Sequence, residues 1–437
     1  MRGGRSGHVK ALGASVAVTL LASTALADTS TAMPPWSDAD DLPLPSWAHS
    51  VLPKRAEVPI AAAPGKPDLH RGTLIASARL PLYGAKRAAS CNGRWLNVGP
   101  LAWVCSDLAD LSPDPPWSIQ ERSRWASAPA ADGLPFRYFF VGRDGANGYA
   151  DLEHALDSGA DQEFEAGFSV AIVEERSMFG ERWGKTNHGR WVAMRELAPA
   201  HPPAFHGENI DGLLDLAWVT ADRAQVRKAA RADAAIVATL LRFQLVHVKE
   251  EKGTGAAAML RISDEDPDAT QEKWVLARDL ARPSVQPPPP EVASDERWVD
   301  VDLASQTLVA FEGKRPVYAT LVSTGRGPST SETGTPKGVH RVWVKLSTTN
   351  MDNLEKEDAD RHYSIEDVPY VQFFDKAVAL HAAFWHKDFG RVHSHGCVNL
   401  APIDARFLFG WTLPHLPAGW SAVFPTPLEK GTAVRIR

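Results

Sequence analysis

A mainly β protein assembled from several small units is what this sequence predicts, on three observations. Short β-branched and aromatic runs, among them RGTLIASARLPLY, GFSVAIVEE and FQLVHVKEE, recur between Gly, Asn and charged turns; strands at this spacing belong to small barrels or sandwiches. Three segments close alike, WVCSDLADLSP from Trp103, WVAMRELAP from Trp191 and WVLARDLARP from Trp274. Each is a Trp-Val step, an acidic residue, a Leu and then a Pro, and such self-similarity marks repeated modules. One stretch, APIDARFLFGW, reads as a helix, with Pro402 in its first turn and Asp404 near its positive N-terminal end.

The elements follow in order along the 437 residues. Residues 1–27 combine a basic start (Arg2, Arg5, Lys10), an uncharged apolar stretch and small residues Ala25 and Ala27 before Asp28. That is the pattern of a cleaved secretory signal. The apolar run is shorter than the roughly 18 residues a membrane span needs, so the expectation is export to the periplasm or cell envelope. Residues 28–68 are rich in Pro, Ala and Asp and are expected to be poorly ordered. Three β-modules are expected at 69–115, 134–205 and 213–282. Residues 283–297, with four consecutive prolines, read as an extended, semi-rigid spacer. Residues 298–437 form a unit of ordinary domain size, opening with a β-hairpin that turns at Glu312-Gly313-Lys314. A Pro/Gly turn feeding a strand, GTPKGVHRVWVK, follows. After it come the acidic loop Asp352 to Asp367 and two strands, VPYVQFF and KAVALHAAF. The net charge of −6 with no long basic run argues against nucleic acid or anionic membrane as the main partner.

Three cysteines are present. Cys91 and Cys105 lie close in sequence, and a bridge between them would close a short loop worth about 3 kcal/mol; two buried thiols are the alternative. Cys397 is the odd one out, in RVHSHGCVNL. His381, His386, His393, His395 and Cys397 fall within HAAFWHKDFGRVHSHGC. A thiol is mostly protonated at neutral pH, so a nucleophilic cysteine needs an imidazole within reach and a further group to orient that imidazole. Zinc ligation by His393, His395 and Cys397, which would share one face of a strand, and an inert buried thiol remain as alternatives. Apart from His381 and His386, five apart, the usual paired ligand spacing is missing, so no metal is expected. Gly396 permits a tight backbone whose amides could face an oxyanion.

SHGCVN, with a histidine sixteen residues before the cysteine and STG and TPKG upstream, resembles the catalytic signature of the L,D-transpeptidase (YkuD-type) family over Trp298 to the C-terminus. The resemblance implies a β-sandwich catalytic domain with a short helix after the cysteine motif. It implies acyl transfer on peptidoglycan stem peptides without a cofactor. Cys397 would be the nucleophile, His381 the general base, and the Ala382 carbonyl the group that fixes its tautomer. His395, Gly396 and Cys397 would line the oxyanion pocket, supported by Ser394 and Asn399. Arg391, Trp385 and Tyr370 are candidate substrate contacts, and His386 is the rival base, with His393 behind it. Only twelve residues separate His381 from Ser394, fewer than the family pattern usually has, so a short connecting loop is expected. The N-terminal modules are weakly similar to bacterial SH3-like domains. The acceptor amine belongs to another stem or to a wall-attached protein. Hydrolysis of the same thioester, as a carboxypeptidase or endopeptidase, and a non-catalytic wall-binding role are the competing functions. The acidic loop is a solvated insertion or a lid that attracts the acceptor amine.

Overall fold

The computed structural model describes residues 42–117, 131–153, 155, 159–263, 271–355 and 362–437. The expected leader, residues 28–41 of the low-complexity segment and residues 356–361 of the acidic loop lie outside the described residues. The described chain is mainly β, with one α-helix, Pro402–Trp411.

The C-terminal unit is built on two sheets. In the first, Arg297–Asp302, Thr307–Glu312 and Arg315–Leu321 form an antiparallel meander. Ala433–Ile436 adds in parallel to Arg297–Asp302 and then pairs with Gly338–Arg341. The second sheet holds the long hairpin of Val344–Asp352 and Ser364–Asp375, then Val378–Ala382, which pairs in parallel with Val398–Leu400. Between them sits a core of Val299, Val301, Leu308 and Ala310 against Leu380, Val398, Leu400 and, from the helix, Ala405 and Leu408.

Two buried charges lock the helix in place. Asp404, expected only to favour the helix N-terminus, is fully buried and accepts from the Gly207 amide at 2.8 Å, Tyr318 Oη at 2.7 Å and Thr320 Oγ1. Burial raises its pKa to about 6 against the pull of these donors. At the other end Lys345 Nζ donates to the Phe409 and Thr412 carbonyls. A cation there meets the last unpaired C=O groups and the negative end of the helix dipole.

Three sequence expectations need correction. The segment 28–68 contains strands Ser50–Pro53 and Val58–Ala61. They pair with Ala109–Ser112 and His70–Leu74, because Val51, Val58 and Ile60 supply an apolar set that the Pro-rich composition obscured. The first unit is therefore not closed at residue 69. Its strand His70–Leu74 pairs with Trp420–Val423 of the C-terminal unit, and both Trp420 and Val423 belong to its core. Gly72 permits that approach: a Cβ there would lie 2.3 Å from the Ala422 carbonyl oxygen. The Pro-rich segment 283–297 is likewise not a free spacer. The Pro287 and Glu291 carbonyls accept from Arg435 at 2.9 Å and Arg341 at 3.0 Å, and Val292 is buried.

Two of the three Trp-Val closings share a local structure. Trp191–Ala193 and Lys273–Leu276 each run into a 3-10 turn and a short strand, Leu197–Pro199 and Leu280–Ala281. Cys91 and Cys105 are joined by a disulfide.

Candidate active site

The chemistry-bearing residues converge where Val378–Ala382 and Val398–Leu400 run side by side. The register pairs His381 with Asn399, so continuing it back sets Ala379 beside Cys397. The Ala379 amide does face the thiol. Cys397 precedes Asn399 by two residues, which puts its side chain on the same face as His381. Parallel strands need a crossover connection; here it is the short irregular loop from Ala383 to Cys397. That loop is stitched to the end of the first sheet: Ser323 Oγ donates to the Asp388 carbonyl at 2.7 Å, and the His393 and Ser394 amides donate to the Thr324 carbonyl at 3.0 and 3.1 Å.

His381 is 2% exposed, and its Nδ1 lies 2.9 Å from the Ala382 carbonyl oxygen. A carbonyl can only accept, so Nδ1 carries the proton and Nε2 keeps its lone pair. The Trp385 ring stacks on the imidazole at 5.8 Å. Burial pulls the His381 pKa down to about 4, partly opposed by the Ala382 contact. Cys397 is only half-buried as a residue, but it packs against the apolar cluster of Val368, Val371 and Ala379. That desolvation pushes the thiol up to about 11. Both shifts favour the uncharged pair, so the resting site holds a thiol and a neutral imidazole rather than an ion pair.

The turn carrying Cys397 is braced from two sides. Ser394 Oγ accepts from the Gly396 amide at 3.2 Å and donates to the Cys397 carbonyl. Thr335 Oγ1 donates to the Gly396 carbonyl at 2.7 Å and accepts from the Gly325 amide at 2.9 Å. Thr335 and Gly325 belong to the TPKG and STG segments, quoted above only as markers; their role in holding this turn was not assigned from sequence. Gly396 has a φ of +128°, which favours glycine. The Gly396 amide, expected to face an oxyanion, is instead spent on Ser394.

His386 is buried, and both its ring nitrogens are engaged. Nδ1 accepts from the Asp388 amide at 3.1 Å, so Nε2 bears the proton and meets the Asn399 side-chain amide 2.9 Å away. That proton assigns the amide oxygen to face it. Burial first, then His393 and His381, hold His386 down to about 3. With no free lone pair it is a strut and not a base, and the same saturation makes the neighbouring trio His386, Asp388 and His393 a poor metal cradle. His393 Nδ1 lies 2.9 Å from an Asp388 carboxylate oxygen.

His395 is exposed and stacks on Tyr363 at 6.0 Å. Tyr363 closes the described base of the acidic loop and was missed from sequence, where nothing separated it from its polar neighbours. Of the candidate substrate contacts, only Trp385 borders the site. Arg391 donates to the Thr220 carbonyl and Asp222 Oδ1, both at 2.9 Å. Tyr370 donates to the Gly133 carbonyl at 2.8 Å and packs against Phe409. Both residues tie the N-terminal units to the catalytic unit, a role visible only once distant segments are folded together. The lid expectation also changes: Asp367 is buried, its Oδ1 accepting from Asn187 Nδ2 at 3.0 Å, so it is not offered to an incoming amine.

The second and third β-units reach the edge of this site. The Tyr138 ring lies 4.1 Å from Phe384, and its hydroxyl donates to the Asp367 carbonyl at 2.6 Å. Arg242 of the third unit donates to the Phe389 carbonyl at 2.7 Å.

No curated protein matches the chain. Among solved structures, a cysteine-to-serine mutant of Enterococcus faecium L,D-transpeptidase is 24% identical, with 32% of this chain and 50% of that one covered and a TM-score of 0.25. The catalytic domain from the E. faecium enzyme, solved by NMR, is 26% identical over 33% of this chain and 98% of that one, with a TM-score of 0.25. An L,D-transpeptidase from Stackebrandtia nassauensis is 27% identical over 34% of this chain and 58% of that one, with a TM-score of 0.23. This chain spans about half the length of the first E. faecium structure it matches. A family model described as YkuD, L,D-transpeptidase catalytic domain, matches residues 296–436, and those residues of the chain are therefore an L,D-transpeptidase catalytic domain of the YkuD family.

Proposed function

We propose that this chain is an exported peptidoglycan L,D-transpeptidase in which Cys397 is the nucleophile and His381 the general base. The observation that carries this reading is the His381 tautomer: Nδ1–H is held by the Ala382 carbonyl, and Nε2 is left to accept a proton on the face that Cys397 shares. His381 Nε2 takes the thiol proton as Cys397 Sγ attacks the carbonyl carbon of the third stem-peptide residue. The tetrahedral oxyanion is met by the Cys397 amide and the His395 side chain. Collapse expels the terminal D-amino acid, whose nitrogen receives the proton from His381, and leaves a thioester on Cys397. An acceptor amine then attacks, His381 removes its proton, and the thiol is restored.

Because the resting pair is uncharged, the thiol proton has to reach His381 before the thioester can form. The chemistry draws on no cofactor. The acceptor is a neighbouring stem or a wall-attached protein, and the N-terminal β-units, proposed to be SH3-like, serve as positioning modules on the wall.

The test incubates purified protein with disaccharide-tetrapeptide and follows the products by mass. Cross-linked dimers support the proposal, and tripeptide alone would replace it with a hydrolase. Activity retained in Cys397→Ala would overturn it. A carbapenem adduct mapped to Cys397 would independently mark that thiol as the nucleophile.

A further inference from the structure

Away from the catalytic residues, three metal-ligating side chains meet at the joint between the second β-unit and the catalytic sheet. His188 stands in the exposed turn after Glu181–Thr186. Glu366 and Asp367 are consecutive in the strand Ser364–Asp375. Neighbours on a strand ordinarily point to opposite faces. Asp367 has a φ of +53°, a left-handed conformation that Asp tolerates better than most residues, and the irregularity turns both carboxylates toward His188. One nitrogen or oxygen from each of the three residues lies within 4.8 Å of the others.

The hydrogen-bond accounting there is incomplete. Asp367 is 4% exposed; Oδ1 is used by Asn187, while Oδ2 is buried with no hydrogen bond and lies 3.2 Å from His188 Nε2. Glu366 Oε2 is also buried and unpaired. Two carboxylates desolvated side by side are costly unless a cation joins them. Asn350 Oδ1, which accepts from the Asp367 amide at 3.0 Å, adds a nearby oxygen.

We propose that His188, Glu366 and Asp367 form a divalent transition-metal site that fastens the second β-unit to the catalytic sheet. One imidazole with two carboxylates, leaving room for water, is a donor set suited to Zn²⁺; Ca²⁺ and Mg²⁺ prefer sites built of oxygen alone. The site lies one residue from Val368, a member of the apolar cluster that Cys397 packs against, so occupancy would stiffen that side of the pocket. The inference does not depend on the reaction proposed above.

The test titrates Zn²⁺ by calorimetry into the full chain carrying Cys397→Ser, so that the thiol cannot bind the ion, after treatment with chelator. The expected result is one saturable site per chain and a rise in melting temperature with Zn²⁺. His188→Ala and Glu366→Gln should each weaken binding by about tenfold or more, since even indirect ligand supports cost that much. His188 is on the surface, so its variant should melt like the parent without metal, which checks the fold. Absence of saturable binding, or unchanged binding in both variants, overturns the proposal. So does binding that is lost in His393→Ala and kept in His188→Ala.

Discussion

The two walls of the site are built differently. One wall, from Ser323 to Thr335 and the turn Ser394–Cys397, is closed entirely within the catalytic unit by Thr335 and Ser394. The other, Phe384 to Arg391, is held by residues far away in the chain: Tyr138 on Phe384, Arg242 on the Phe389 carbonyl, and Thr220 and Asp222 on Arg391. The first wall fixes the turn that carries Cys397 with hydrogen bonds of its own. The second sets the position of the aromatic residues beside His381, and its order depends on units that take no part in the chemistry. A boundary drawn at the Pro-rich segment therefore separates the domain from the residues that support one of its walls.

The largest effect belongs to His381, the proposed base, which stands between the walls. His381→Gln should lower kcat/KM for tetrapeptide by about 10² to 10⁴, with Cys397 still present by mass; a smaller loss would mean that another group takes the proton. Next is the thiol itself. With its pKa pushed up to about 11, the folded protein at pH 8 should react with iodoacetamide on the order of 10²-fold more slowly than unfolded protein. The sign follows from the shift: a raised thiol pKa delays the thiolate, so the rate should keep climbing above pH 9, where a free cysteine levels off.

A test of the inner wall comes third. Thr335→Val leaves the Gly396 carbonyl and Gly325 amide buried without a partner, at a cost of about 1–3 kcal/mol in stability. Activity should fall by about tenfold if part of that cost is felt at the turn. The outer wall should answer least. Tyr138→Phe keeps the ring against Phe384 and removes one buried hydrogen bond, worth about 1 kcal/mol. A shift of a few degrees in melting temperature with a several-fold change in kcat would fit, whereas a loss as large as that of Thr335→Val would erase the distinction between the walls.

Much of the site was legible because its parts lie close in sequence. Cys397, His395 and Ser394 share one motif, and His381 with Ala382 is one strand away. The isolated cysteine stood out because the other two suit each other, and they are bridged. His386 was ambiguous for a physical reason: a histidine's availability depends on what its two nitrogens touch, and Asn399 and the Asp388 amide were not visible as partners. Arg391 and Tyr370 read as site residues from their proximity to the motif, but their partners, Asp222 and Gly133, come from far along the chain. Strands Ser50–Pro53 and Val58–Ala61 were obscured by prolines, because composition averages over the few apolar residues that a core selects.

By itself the sequence determined the β-rich class, the repeated Trp-Val closings, the helix after the motif and the residue types able to do acyl transfer. These follow from local spacing and from the intrinsic chemistry of thiol and imidazole. Only the tertiary structure decided which nitrogen of His381 is free, how far burial moves the thiol and imidazole, and that Gly396 gives its amide to Ser394. It also decided that the first unit shares its core with Trp420 and Val423. Desolvation, hydrogen-bond partners and core membership are set by atoms brought together from distant segments, and no local pattern contains them.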